Sequence, residues 1–323
     1  MEKNRNYLKY GLHLAVAAGL VWAIVKYVNG QEVWESLRRF ELPYLLVMVG
    51  LALAYYLIKG VRFLLLISPF NEKIPKSIIL KGYLAGQAVA LLPGGVAARA
   101  GLMKQLGIPI AQSSVTVAFH SGWDQVIFLL GGIIAALWFP AARLPVLIIL
   151  AVLAVLAVLL IISTTRHWLA GLAARLAKRF GYKEQWAHFL QAIPLVFTWR
   201  IMLGCFAVTV VSMALQITLL GMALHGAGLE VSLPVLFLAF IVPTMLGRII
   251  PVPGGFGVTE AGMVGFLTST ANLSTDSTVA AVAIFRVLSI VLPAMVGAII
   301  YYFFWNGEGE TSKSAVRGQR EPA

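Results

Sequence analysis

Residues Ile201 to Leu229 read IMLGCFAVTVVSMALQITLLGMALHGAGL, 29 consecutive positions without an acid, a lysine or an arginine. At about 1.5 Å of rise per residue, a helix of that length exceeds the roughly 30 Å of hydrocarbon in a bilayer. A helix satisfies every backbone donor and acceptor inside its own segment, which is what lipid demands of a single run. A second uncharged run, Val146 to Ile162, adds 17 residues. These runs predict an all-α integral membrane protein.

The composition agrees. The apolar fraction is 60%, the charged fraction 12% and the mean hydropathy +0.88. A water-facing surface needs about 25% charged residues, so a soluble domain is excluded. The net charge of +12, from 25 Lys+Arg against 13 Asp+Glu, reads as topogenic bias and attraction to anionic lipid. No basic stripe alternates with aromatics, so nucleic acid is not an expected partner. The single cysteine, Cys205, lies inside an apolar run and reads as a small buried thiol.

Hydropathy places spans at 10–28, 43–58, 114–138, 145–163, 201–225, 233–250, a short 256–270 and a long 277–304, about eight in all. The first has a basic start but no small-residue cleavage site, so it is expected to be a retained anchor. A further piece, 78–92, is too short to cross and reads as re-entrant or interfacial. Lysines and arginines concentrate at the N-terminus, in 59–81, in 164–200 and in the tail, where Lys313, Arg317 and Arg320 lie. By the positive-inside rule both termini face the cytoplasm of a cell membrane. Arg62 and Arg248 can be read as reaching that interface by snorkelling. The segment 166–191 alternates Trp168, Leu172, Leu176 and Phe180 with basic residues, as an interfacial helix would. One polytopic domain, 1–305, and a polar, disordered tail, 306–323, are expected.

Two places break the helical pattern. Pro93-Gly94-Gly95 leads to Arg99, and Pro251-Val252-Pro253-Gly254-Gly255-Phe256-Gly257 leads to Glu260. Proline removes an amide donor and paired glycines relax the backbone, so neither reads as continuous helix. Each break precedes a second embedded charge, Asp124 after the first and Arg286 after the second. This suggests an internal repeat with halves near 43–163 and 201–304, joined by the cytoplasmic amphipathic segment 164–200. An ionisable group in lipid costs a few kcal/mol and calls for a partner or a wet cavity. Broken helices at matching positions point to a transport site near the bilayer midplane. Arg99, Asp124, Arg248, Glu260 and Arg286, with the break residues Pro93, Gly94, Gly95, Pro253, Gly254, Gly255 and Gly257, are therefore the candidate site. The signs are crossed, and pairing within or between the halves would lower the burial cost.

At these residues the chain resembles the lysylphosphatidylglycerol synthase transmembrane-region family, over about Leu42 to Phe304. Pro251 to Ala261 is similar to that family's P-x-x-GG-x-G-x-x-E-A segment. Arg286-Val287-Leu288-Ser289 resembles its R-hydrophobic-x-S/T motif, and Leu92-Pro93-Gly94 with Arg99 and Asp124 its first half. The sequence departs from the family at Val96-Ala97-Ala98, where an acid is common, and at His120 and Trp123, before Asp124. The resemblance implies movement of a lipid between leaflets. No ATP-binding motif is visible in the sequence, so no cofactor is expected and movement would be downhill or ion-coupled. Only 19 residues follow Phe304, so no synthase domain is expected and the chain is not expected to aminoacylate lipid.

Three functions remain open. A flippase or facilitator would pass a phospholipid or isoprenoid-linked head group through a charged cleft at the two breaks. A scaffold would hold a synthase or glycosyltransferase through 164–200. An intramembrane lipid-modifying enzyme is disfavoured, since the five histidines lack metal-ligand spacing and no nucleophile or nucleotide motif occurs.

Overall fold

The computed structural model describes residues 40–71, 73–89, 95–162, 183–249 and 257–305, with isolated residues among 35–38 and 168–181. Every regular element among them is helical. The expected span 10–28, the tail 306–323 and most of 166–182 lie outside the described residues. Four helices, Leu42–Phe70, Ile110–Leu137, Trp199–Gly226 and Thr275–Phe304, are long and apolar enough to cross a membrane. The protein is a multi-pass, all-helical membrane protein.

Helix α1, Leu42–Ile67, overruns the expected span by most of three turns. The apolar run Phe63-Leu64-Leu65-Leu66-Ile67 keeps it helical past Lys59 and Arg62, and a short 3-10 turn, Ser68–Phe70, ends it. Arg62 is 0% exposed, so it does not snorkel to an interface. Lys59 and Arg62 are thus helix residues and do not belong to a basic loop. Asn71 closes the turn that follows, its Oδ1 accepting from Ile74 N–H at 2.9 Å.

After Pro75 come α2, Lys76–Ala85, and α3, Gly95–Gln105. Over its described residues, the expected short segment 78–92 consists of the body of the ten-residue helix α2 and the turn after it. Gly107, at φ 89°, and Pro109 then set up α4, Ile110–Trp138, which is followed by α5, Pro140–Ile161. Helices α6, Lys183–Val196, and α7, Trp199–Gly226, follow. Next are α8, Leu233–Ile249, α9, Val258–Ala271, and α10, Thr275–Arg286. A π-turn at Val287–Val291 leads into α11, Leu292–Ile299. Helix α9 has 14 residues, about 21 Å of rise, and cannot cross a roughly 30 Å core alone. The segment 256–270 is therefore a short helix rather than a full span.

The chain divides into two compact units, 1–49 with 217–287, and 50–216 with 288–323. In the second unit Phe63, Ile67, Ile79, Tyr83 and Met103 form one apolar core, and Leu66, Val115, Val196 and Cys205 another. A Cβ on Gly82 would fall 2.5 Å from Met103 and 2.7 Å from the Trp305 ring, so glycine there lets α2 sit against both. Trp305 Nε1 donates to Gln105 Oε1 at 2.9 Å. In the first unit α8 packs on α9, with Gly262 leaving room for Pro243; a Cβ would meet the proline at 2.9 Å. Small residues at a close helix contact are the usual device where no water drives the helices together. Phe240 and Phe285 meet edge to face at 6.1 Å.

Candidate functional site

The second unit holds a buried charge group and the first a half-buried ion pair. In the second unit Lys59 and Arg62, three residues apart on α1, share one helix face. Both meet Asp124, in the middle of α4. Lys59 Nζ donates to Asp124 Oδ2 at 2.7 Å, and Arg62 Nη1 to Oδ1 at 2.8 Å. A carboxylate accepting from two cations lowers the cost of having any of the three in an apolar core.

Neutral groups take up the remaining donors. Lys59 also donates to Tyr55 Oη at 3.1 Å, and Arg62 Nη1 to Thr209 Oγ1 at 2.8 Å. Thr209 in turn donates to the Cys205 carbonyl one turn back on α7. Arg62 Nε faces His120 Nδ1 at 3.4 Å. His120 Nε2 lies 3.5 Å from Arg62 Nη2 and 3.4 Å from the Tyr83 hydroxyl. The Tyr83 ring also carries Arg99, whose Cζ is 5.4 Å from its centroid. Arg99 Nη2 donates to Gln87 Oε1 at 2.9 Å. Arg99 and Asp124 are therefore in one connected network but are not partners of each other. Lys59, Arg62 and Arg99 set three cations against the one carboxylate of Asp124 in this network.

In the first unit Glu260 sits in the first turn of α9. Gly257, at φ 83°, lets the chain enter that helix, and its N–H donates to Glu260 Oε2 at 2.6 Å. Glu260 Oε1 accepts from Arg286 Nε, at the last residue of α10. The carboxylate thus satisfies an amide at a helix start and a guanidinium at a helix end, both favourable placements for their charge.

A model of the lysylphosphatidylglycerol synthase TM region matches residues 11–297. The chain belongs to this family. A comparison with curated proteins finds no match. Of the residues singled out in this lysylphosphatidylglycerol synthase TM-region chain, Arg99 and Asp124 fall in one network, and Glu260 and Arg286 form an ion pair. Gly95 opens α3 and Gly257 caps α9. Pro93, Gly94, Pro253, Gly254 and Gly255 lie outside the described residues, and Arg248 is on the last turn of α8 with its side chain outside them.

Sequence reading missed Lys59 and placed Arg62 at the interface. The available signal was their spacing on one face, followed by five apolar residues. It also missed His120, Tyr83, Gln87 and Thr209, which carry no charge signature. The π-turn after Arg286 was not legible either. Tyr56 Oη donates to the Ser289 carbonyl within that turn at 2.6 Å. Interrupted hydrogen-bond ladders of this kind recur at functional positions. A separate cavity of about 420 Å³ lies between the start of α4 and α6, lined by Gln112, Gln185, His188 and Gln191 among others.

Proposed function

We propose that this protein moves a lipid between leaflets, with the charge group of each unit serving the head group. The observation that carries the reading is the excess of cations in the Lys59–Arg62–Arg99–Asp124 network, deep in helices otherwise built for lipid. Buried charge of this kind is expensive and in membrane proteins marks substrate or ion pathways. The family is named for a membrane region of a lipid synthase, which is consistent with lipid as the substrate class.

In this reading the head group is that of an anionic phospholipid or an isoprenoid-linked lipid, and its chains stay in the bilayer. Arg99 and Asp124 in the second unit and Glu260, Arg286 and Arg248 in the first serve the head group, and Pro93, Gly94, Gly95, Pro253, Gly254, Gly255 and Gly257 are the further candidates. The chain acts as a transporter and not as an enzyme, without a cofactor. Its repeat halves lie near 43–163 and 201–304, in a cell membrane. The test is leaflet exchange of a fluorescent phospholipid in vesicles containing the purified protein. Exchange no faster than in protein-free vesicles, across anionic and isoprenoid probes, would sink the reading.

A second reading is a scaffold for a synthase or glycosyltransferase. The cavity between α4 and the exposed amides of α6 favours it, because a partner segment could be held there. It predicts that replacing Gln185, His188 and Gln191 abolishes partner capture and leaves exchange unaltered.

A further inference from the structure

Among the described charged residues of the second unit's network, Arg99 differs from the other cations. Lys59 and Arg62 direct their donors at Asp124, and Arg62 adds Thr209 and His120. Arg99 has no carboxylate beside it among the described residues. One of its nitrogens donates to the neutral Gln87 amide, and its Nε is buried with no acceptor among the described residues. The residue as a whole is only 9% exposed. An unspent charged donor at that depth is a large cost for a fold to carry without a return.

The surroundings are shaped to hold this guanidinium in one pose. A Cβ on Gly86 would lie 2.7 Å from Arg99 Cγ, so only glycine leaves the stem its channel. The Tyr83 ring holds the group by a cation–π contact, with Cζ 5.4 Å from the ring centroid. Gln87 is itself fixed, its Nε2 donating to the Tyr83 carbonyl at 3.2 Å. Helix α11 closes the turn from outside, since a Cβ on Gly297 would meet Ala88 N at 2.6 Å and the Leu84 carbonyl at 2.7 Å. A guanidinium held over a ring and oriented by an amide, with Nε unspent among the described residues, matches the oxygens of a phosphate group, which arginine engages through two adjacent N–H donors.

We infer that Arg99 is the phosphate-recognising residue of this protein and that Lys59, Arg62 and Asp124 form the strut that holds the network together. The oxyanion is that of a phosphate, on a lipid or free. The inference rests on the transport reading only for the lipid source.

The experiment uses the full chain in maltoside micelles, which carry no phosphate. The probes are dioctanoyl phosphatidic acid, inorganic phosphate, and dioctanoylglycerol as the phosphate-free control, with affinity read by calorimetry. The wild type binds the phosphatidic acid and not the diacylglycerol. Arg99→Gln weakens that binding by about tenfold to a hundredfold, the range of one lost charged hydrogen bond. Gly86→Ala keeps the charge but displaces the stem, and it weakens binding in the same direction. Equal affinity in wild type and Arg99→Gln overturns the inference, whatever leaflet exchange shows. Arg99-dependent binding in a protein that does not exchange lipid supports the inference and removes the transport reading. Arg99-dependent binding of inorganic phosphate alone supports the oxyanion subsite and assigns its source to free phosphate.

Discussion

Arg62, wholly shielded, donates to the Asp124 carboxylate at 2.8 Å from the facing helix. Lys59, one turn back along α1, donates to the other oxygen of the same carboxylate. Removing Asp124 would strand two cations at once. Asp124→Asn is expected to destabilise the protein by about 3–5 kcal/mol, the cost of leaving a buried charge uncompensated. Thermal or denaturant unfolding in detergent measures it; a melting temperature equal to the wild type's would contradict the strut.

Arg99 should behave in the opposite way. It has no carboxylate partner among the described residues, so the hydrophobic substitution Arg99→Met removes a burial cost and little favourable interaction. Stability should stay level or rise by on the order of 1 kcal/mol. A loss comparable to that of Asp124→Asn would show that Arg99 is a structural cation after all.

Glu260 and Arg286 should act as one unit. A double-mutant cycle with Glu260→Gln and Arg286→Gln should show a coupling of about 1–3 kcal/mol in unfolding free energy. Additive single effects would mean that the pair contributes nothing to the first unit.

The contact of α9 with α8 depends on Gly262, where a Cβ would lie 2.9 Å from Pro243. Gly262→Leu should overpack it and cost about 1–3 kcal/mol, with Gly262→Ala milder. Indifference to leucine would mean that the two helices stand further apart than this contact allows.

Cys205 is fully buried, and its carbonyl holds the Thr209 hydroxyl. It should resist maleimide in the folded protein and react after unfolding in denaturing detergent. Rapid labelling of the native protein would contradict the packing of α7 in the second unit.

The helical class was legible because a run such as Ile201–Leu229 can be little else. Asp124 and Glu260 stood out for the same reason, as acids where lipid excludes them. Lys59 and Arg62 did not, because a hydropathy window stops at charge. Only the partner on α4 shows that the helix tolerates them, and that partner is 62 residues from Arg62. The neutral members of the network, His120, Tyr83 and Gln87, are invisible to a charge search. Their roles come from tertiary contact alone. The short helix at 258–271 was ambiguous because its composition is that of a span and its length, set by the glycine break before it and Asn272 after it, is not.

The most direct test is leaflet exchange of a phosphate-bearing fluorescent lipid in vesicles carrying equal amounts of folded wild type, Arg99→Gln and Glu260→Gln. The predicted result is exchange well above protein-free vesicles for the wild type, reduced by about tenfold or more in both variants. Wild-type rates in both variants would contradict the placement of the head-group path at these charges.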